Sequence, residues 1–342
     1  MDKIGVFFGG KSNEHEISLL SATSVIKAID RNIHDVVCIG ITRENEFRLY
    51  EGNIDNIADG SWEKESQAID IGKLPEMIDF ALPILHGAYG EDGTIQGLFE
   101  MLNLPYAGSG VLGSSLAMDK VAAKQVFVAN KIPTCDYKLV YAEEVSQNAL
   151  AVAKSCETLP YPMFVKPANM GSSKGISKVR TTEELVRALE LAAGFDRRII
   201  VEEGINCREV ETGVIGNARP EAARVGEIVA KADFYDYDAK YSDDAGTMII
   251  VPADIPKDME ESIRKIAIDA YLALDCAGFA RVDFLVDKET GTVYVSEINT
   301  IPGFTKYSMF PLLWQERGVS FGELVERIVN YGYERYNVKN NR

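Results

Sequence analysis

Residues 279–299, FARVDFLVDKETGTVYVSEIN, predict a β-hairpin in which two runs of strand-forming residues flank a short turn. Side chains on a strand alternate between its two faces, so Arg281 and Asp283 share one face of the first strand. Glu297 and Asn299 share a face of the second strand for the same reason. The short turn then brings Asp283 and Glu297 to roughly opposite positions.

Two carboxylates and an amide oxygen that converge on one face suit a hard cation such as Mg²⁺. The alternative is a solvated sheet face with ordinary salt bridges. Two features favour the metal: the neighbouring positions are strongly apolar, and Asn299 leads directly into a glycine loop, TIPGFT (300–305). We therefore predict a metal site formed by Asp283, Glu297 and Asn299.

The segment KPANMGSSKG (166–175) places a lysine at the end of a predicted strand and then a loop of small residues. A cation followed by exposed backbone N–H groups can close over a polyphosphate. The order GxxxxGK[ST] is absent, so this is not a Walker A loop. Without further support, an ordinary mobile loop is the simpler interpretation.

A second glycine-rich segment, HGAYGEDGTIQG (86–97), follows a buried apolar run, FALPILH (80–86). Open α/β sheets bind ligands at the carboxyl ends of their strands, so this position favours a ligand site. Considered alone, His86 would be a hydrogen-bonded structural histidine, and Glu14 an acid at the start of a helix.

The GxGxxG pattern at 108–113, GSGVLG, does not predict a dinucleotide site. A Rossmann fingerprint follows the first strand, whereas this copy follows NLPYA, which is a poor strand. It is better explained as a turn that enters a helix near 115–130.

The pattern of the whole chain predicts three units. Alternating strands and helices indicate a parallel α/β unit over 1–105, a second unit covers 106–195, and antiparallel strands dominate 196–342. A polar stretch at 231–247, KADFYDYDAKYSDDAGT, has the length of a lid loop.

Composition excludes several classes of protein. The 36 Lys+Arg and 52 Asp+Glu give a formal net charge of −16, which disfavours nucleic acid and anionic membranes as partners. No apolar run reaches the ~18 residues that span a bilayer, and the N-terminal residues do not form a signal peptide. The 5 cysteines lack a CxxC pair. They indicate reduced thiols, and hence a cytoplasmic protein, rather than disulfides, a zinc site or a nucleophile.

Taken together, the motifs resemble the D-alanine–D-alanine ligases of the ATP-grasp superfamily. The resemblance covers nearly the whole chain, in order, through GGKSNEHEISL (9–19), LHGAYGEDGTIQG (85–97), PYAGSGVLGSSLAMDK (105–120), KPANMGSSKG (166–175), FYDYDAKY (234–241), ARVDF (280–284) and SEINTIPGFTKYSMFP (296–311). It implies an α/β ATP-grasp fold, in which a parallel α/β domain precedes two domains whose antiparallel sheets hold ATP. It also implies ATP-dependent synthesis of D-alanyl-D-alanine through a D-alanyl phosphate, for peptidoglycan precursors.

The resemblance further implies a role for each site residue. ATP would be bound by Lys120, Lys166, Ser172, Ser173, Glu202, Glu203, Ile205, Glu209 and Lys240. Asp283, Glu297 and Asn299 would hold two Mg²⁺ ions, with Mn²⁺ as the alternative metal. D-alanine would be bound by Glu14, His86, Lys240, Arg281, Gly303, Ser308 and Met309. Glu14, Ser172 and Tyr241 would close the lid in the catalytic complex, with Arg281 and the Gly303 N–H at the oxyanion and Ser308 beside the second substrate.

Several alternatives remain open at this point. An apolar Met309 suits the methyl group of a second D-alanine, but D-serine is a competing second substrate. A different ATP-grasp ligase or carboxylase should lack Glu14, His86 and Tyr241, and an inactive ATP-binding regulator should have lost Arg281 or a metal ligand. The family also suggests a homodimer.

Overall fold

The structure is a computed structural model that describes residues 1–171, 174–229 and 248–340 of the chain. The lid predicted at 231–247 and the site residues Ser172, Ser173, Lys240 and Tyr241 lie outside these ranges. No helix in the described ranges is long and apolar enough to cross a membrane.

The first unit is an α/β layer. Its elements are β1 (Asp2–Gly9), α1 (His15–Ala28), β2 (His34–Ile41), β3 (Phe47–Tyr50), α2 (Asp55–Ala58), β4 (Gln67–Ala68), α3 (Leu74–Met77), β5 (Phe80–Pro83) and α4 (Thr94–Met101), with 3₁₀ turns at Ser61–Glu65 and Ile71–Lys73. The strand order is β4-β3-β2-β1-β5. The three strands β2, β1 and β5 are parallel, as predicted, and β3 and β4 add an antiparallel edge that the sequence analysis missed.

The second unit is built on a four-stranded antiparallel sheet with the order β6-β9-β7-β8. Its elements, with the two helices that precede them, are α5 (Val111–Met118), α6 (Lys120–Ala129), β6 (Tyr137–Tyr141), α7 (Ala142–Cys156), β7 (Met163–Pro167), β8 (Ser177–Val179), α8 (Thr182–Ala193) and β9 (Arg198–Glu203). Thr181 caps α8 by accepting a hydrogen bond from the Glu184 N–H at 3.2 Å.

The single helix predicted near 115–130 was wrong, because the chain forms two helices that are separated at Asp119. Asp119 has an extended backbone, with φ −85° and ψ 105°, and its side chain accepts the Ala122 N–H at 2.9 Å. Its other carboxylate oxygen pairs with Arg198 at 2.6 Å. An aspartate that caps a new helix ends the preceding one. Lys120 consequently becomes the first residue of α6.

The third unit carries the predicted hairpin. Its elements are β10 (Cys207–Gly216), β11 (Glu221–Val229), β12 (Met248–Ile250), α9 (Lys257–Ala273), β13 (Gly278–Asp287), β14 (Val293–Asn299), α10 (Met309–Gln315) and α11 (Phe321–Asn340). The sheet is antiparallel with the order β12-β11-β10-β13-β14. One face packs against α6 and α9, where Val282 and Phe284 are buried. Arg281 and Asp283 therefore project from the opposite face.

The last helix returns to the first sheet. Ile328 and Val329 of α11 lie in the same buried cluster as Ile4 and Phe8 of β1. The first and third units therefore share one hydrophobic core. This shared core fixes the loops of the first unit against the hairpin of the third.

Candidate active site

The register of the hairpin shifts by one residue between Phe284 and Asp283, where a β-bulge interrupts the pairing that the short turn sets. Arg281 is paired with Asn299, and Asp283 with Glu297. The Asn299 side-chain amide donates a hydrogen bond to Oδ2 of Asp283 at 2.9 Å. Two carboxylates and an amide oxygen thus converge on one face, which is the donor chemistry that Mg²⁺ prefers. In the described ranges no three His, Cys, Asp or Glu side chains are arranged to hold a metal ion, so a metal here would depend on the asparagine as well.

Two cations compensate these acids. The Arg281 guanidinium binds both oxygens of Asp283 at 2.7 Å and lies 2.9 Å from Glu211 of β10. Burial alone would lower the pKa of Arg281, but the charges of Asp283 and Glu211 raise it well above its ordinary value. The ammonium group of Lys120 lies 3.3 Å from Glu297. The face is therefore a cluster of three acids whose charge two fixed cations compensate only in part.

A second buried cluster of charges lies between the two antiparallel sheets. Lys166 of β7 contacts one oxygen of Glu202 at 2.6 Å, and Lys124 of α6 contacts the other at 2.8 Å. Burial alone would raise the pKa of Glu202, but the charges of Lys166 and Lys124 hold it well below its usual range. Burial alone would lower the pKa of Lys166, and the Glu202 carboxylate raises it.

Lys124 is a site residue that the sequence analysis missed. It is fully buried, and it also donates to the hydroxyl of Thr134 at 2.7 Å. The available signal was its spacing of four residues from Lys120, which places both lysines on one side of a helix. The three charges of Lys124, Glu202 and Lys166 leave a net positive charge next to the hairpin acids.

The other residues predicted to bind the nucleoside lie at the end of β9, in the link after it and in β10. Glu203 accepts the Asp136 N–H at 2.9 Å, which fixes the end of β9 to the segment before β6. Ile205 is half-buried in the link, and Glu209 is exposed on β10.

Glu14 lies where three loops meet. A Cβ atom added to Gly87 would lie 2.4 Å from Oε2 of Glu14, and one added to Gly171 would lie 3.0 Å from the same oxygen. The adjacent Asn13 accepts a hydrogen bond from Lys174 at 2.8 Å. Gly171 and Lys174 therefore lie against the first unit, and the glycines at 87 and 171 leave room for the Glu14 carboxylate.

His86 is buried at this junction. Its Nδ1 lies 2.8 Å from the carbonyl oxygen of Ile301, and its Nε2 lies 2.9 Å from the hydroxyl of Ser21. Burial lowers the pKa of His86, and the nearby Glu14 charge offsets this effect only in part. His86 is thus neutral and tied to the loop that follows β14.

The remaining predicted residues follow that loop. Ser308 accepts the Thr305 N–H at 3.1 Å, and a Cβ atom on Gly303 would lie 3.3 Å from its hydroxyl. Met309 is 4% exposed, and its sulfur lies against Gly226 of β11, so most of its side chain is packed against the sheet.

Comparisons with known proteins agree with this arrangement. Residues 3–109 match the family described as "D-ala D-ala ligase N-terminus", and residues 126–330 match "D-ala D-ala ligase C-terminus". The D-alanine–D-alanine ligase of Thermoanaerobacter sp. (strain X514) is 47% identical, over 98% of each chain. That of Acetivibrio thermocellus is 45% identical, over 98% of this chain and 96% of its own.

Two solved structures are also similar. The VanG D-Ala:D-Ser ligase from Enterococcus faecalis has a TM-score of 0.88 and 36% identity, and covers 97% of this chain and 99% of its own. The D-alanine–D-alanine ligase from Coxiella burnetii has a TM-score of 0.86 and 30% identity, and covers 100% of this chain and 98% of its own.

A mixed α/β unit followed by two antiparallel sheets agrees with the ATP-grasp fold of these two solved ligases. The chain belongs to the D-alanine–D-alanine ligase family. Membership implies ATP as a substrate, as expected from the sequence.

Proposed function

We propose that this chain joins two molecules of D-alanine at the expense of ATP, to supply D-alanyl-D-alanine for peptidoglycan precursors. The observation that carries this proposal is the convergence of Glu14, Arg281 and the paired acids Asp283 and Glu297 on one junction of the three units. A carboxylate is a poor electrophile. Transfer of the γ-phosphoryl group of ATP to the first D-alanine gives an acyl phosphate, which the amine of the second D-alanine attacks with release of phosphate.

We propose that Lys120 and Lys166 bind the phosphates, because both are held rigidly by acids beside the hairpin. Phosphoryl transfer depends mainly on alignment and on neutralisation of charge. Asp283, Glu297 and Asn299 would hold Mg²⁺, which when bound supplies positive charge to the phosphate oxygens. Glu202, Glu203, Ile205 and Glu209 would bind the nucleoside.

At the reacting carbon we propose that Glu14 binds the ammonium group of the first D-alanine. Arg281 and the Gly303 N–H would stabilise the oxyanion of the tetrahedral intermediate. His86 would lie near the carboxylate of the first D-alanine, with both of its ring nitrogens bonded to Ile301 and Ser21. Ser308 would lie beside the carboxylate of the second substrate.

The roles predicted for the residues outside the described ranges remain part of the proposal. Ser172 and Tyr241 would connect the lid to Glu14, Ser173 would contact ATP, and Lys240 would contact ATP and the second D-alanine. A closed lid would protect the acyl phosphate from water.

We propose that the domain boundary after the second unit falls at residues 204–206 rather than at 195, because β9 pairs with β6 and β7. We also propose a homodimer located in the cytoplasm, where the nucleotide substrate is available.

D-Serine is the second candidate for the attacking substrate, and the similarity to a D-Ala:D-Ser ligase favours keeping it. The test is to incubate the protein with ATP, Mg²⁺ and a mixture of D-alanine, D-serine and D-lactate, and to identify the products by mass. We expect D-alanyl-D-alanine to dominate, with none formed when EDTA removes the metal. A predominance of D-alanyl-D-serine would establish the second candidate, and an absence of any dipeptide or depsipeptide would refute ligase activity.

A further inference from the structure

We propose that Glu91 and Ser21, which are not among the predicted site residues, are positioning residues for the loop 300–304 that carries Gly303. The inference rests on the proposed function, in which the Gly303 N–H stabilises the oxyanion. Both residues belong to the first unit, whereas the loop belongs to the third.

Glu91 connects two loops through the two oxygens of its carboxyl group. Oε1 accepts the Gly87 N–H and Oε2 accepts the Ile301 N–H, both at 2.9 Å. Glu91 is 8% exposed, so water does not readily replace these bonds. The glycine beside Glu14 is thereby held at a fixed distance from the loop after β14.

Ser21 acts on the same loop from helix α1. Nδ1 of His86 faces the carbonyl oxygen of Ile301 and must carry the ring proton, because a carbonyl can only accept. Nε2 of the neutral ring is then an acceptor, so the Ser21 hydroxyl donates to it. The Ser21 oxygen in turn accepts the Phe304 N–H at 3.2 Å.

These bonds bracket Gly303. Both backbone polar groups of Ile301 and the N–H of Phe304 are bound by side chains of the first unit. Pro302 lies between these bound residues, and its ring restricts its φ angle. The direction of the Gly303 N–H is therefore set by the first unit, and a small displacement of a donor strongly reduces its effect on a transition state.

The test compares Ser21→Ala with Ser18→Ala in the full-length protein. Ser18 lies one turn earlier on α1 and is equally buried, but its hydroxyl bonds the Gly9 N–H and the Ile84 carbonyl, inside the first unit. We expect Ser21→Ala to reduce kcat for the dipeptide about tenfold and to reduce the dipeptide formed per ADP, with KM for ATP unchanged. Ser18→Ala should leave kcat and the amount of dipeptide formed per ADP unchanged.

Glu91→Gln is the second variant, because an amide cannot accept both N–H groups. It should show the same loss of kcat and of coupling as Ser21→Ala. The inference is overturned if, at a temperature well below every melting point, Ser21→Ala and Glu91→Gln match Ser18→Ala in kcat and coupling. A failure of the unmodified protein to make dipeptide would instead overturn the proposed function.

Discussion

Arg281 binds both carboxylate oxygens of Asp283, two residues further along the same strand, at 2.7 Å each. A planar guanidinium matched to a carboxylate at two points fixes the orientation of both groups. The arginine is thus held on the face where the acids converge, and it keeps one fixed direction toward the junction of the three units.

We predict that Arg281→Ala reduces kcat by about 10²–10³-fold, the usual loss when one oxyanion donor is removed. Nucleotide binding, measured by titration calorimetry, should remain detectable, because the lysines that we assign to the phosphates are unchanged. Arg281→Lys should also be impaired, because an ammonium group cannot make the two-point contact.

The matched control for this substitution is Arg208→Ala. Arg208 makes the same two-point contact with Glu227, at 2.7 and 2.6 Å, but on the opposite face of β10. Its loss should leave kcat unchanged. Loss of nucleotide binding in Arg281→Ala would show that the arginine serves ATP rather than the oxyanion.

We predict that Gly87→Ala raises KM for D-alanine at the first site by at least about tenfold. The added Cβ would lie 2.4 Å from Glu14 and 2.8 Å from Ser12, and the residue has φ +70°. The Glu14 carboxylate must therefore move. Steady-state kinetics at saturating ATP measure the effect.

Gly97→Ala is the control in the same motif, because an added Cβ meets nothing within 4 Å. Gly97→Ala should leave KM for D-alanine unchanged. An alanine in place of a glycine inside a helix should stabilise the fold by ~0.5–1 kcal/mol. Equal KM values for the two variants would argue against a substrate role for Glu14.

We predict that Lys124→Met destabilises the protein by about 3 kcal/mol, the lower end for a broken buried ion pair, because Glu202 keeps Lys166. Urea unfolding measures the change. Lys124→Met combined with Glu202→Met should be less destabilised than the sum of the two single variants. An additive result would show that the 2.8 Å contact contributes little.

Lys265→Met is the surface control. Lys265 pairs with Asp269 at 2.9 Å, but its side chain is 78% exposed. Exposed pairs contribute little, so its unfolding midpoint should not change measurably.

We predict that Glu91 makes the fold less stable as the pH rises from 4.5 to about 8. Burial and the nearby charge of Glu14 raise the pKa of Glu91 to about 8. The hydrogen bonds from the Gly87 and Ile301 N–H groups lower this pKa, but by less. In this window the native state holds a proton that the unfolded state has released, so stability falls with pH. Between pH 4.5 and about 8, the free energy of unfolding should depend less on pH for Glu91→Gln than for the unmodified protein. Equal slopes would show that Glu91 is ionised in the folded protein.

Local patterns predicted most of the strands that form the site, because alternation and a short turn place Asp283 and Glu297 roughly opposite each other. The β-bulge that pairs them directly was not predicted. These local patterns gave wrong predictions where contacts between residues far apart in sequence determine the structure. The break at Asp119 combines a local cap of α6 with an ion pair to Arg198, which lies 79 residues further along the chain. Lys124 is buried only because Glu202 and Thr134 surround its ammonium group, and a lysine in a helix otherwise predicts an exposed position.

The core shared by α11 and β1 limits how this enzyme can be divided or recombined. In a chimera that joins the first 109 residues of one relative to the remainder of another, β1 and α11 would come from different proteins. Their packed side chains would then not be matched. We therefore expect crossovers to succeed only when residues 304–340 are inherited together with the amino-terminal strands. The unit that must be inherited together is therefore discontinuous in sequence, because it combines segments from the two ends of the chain.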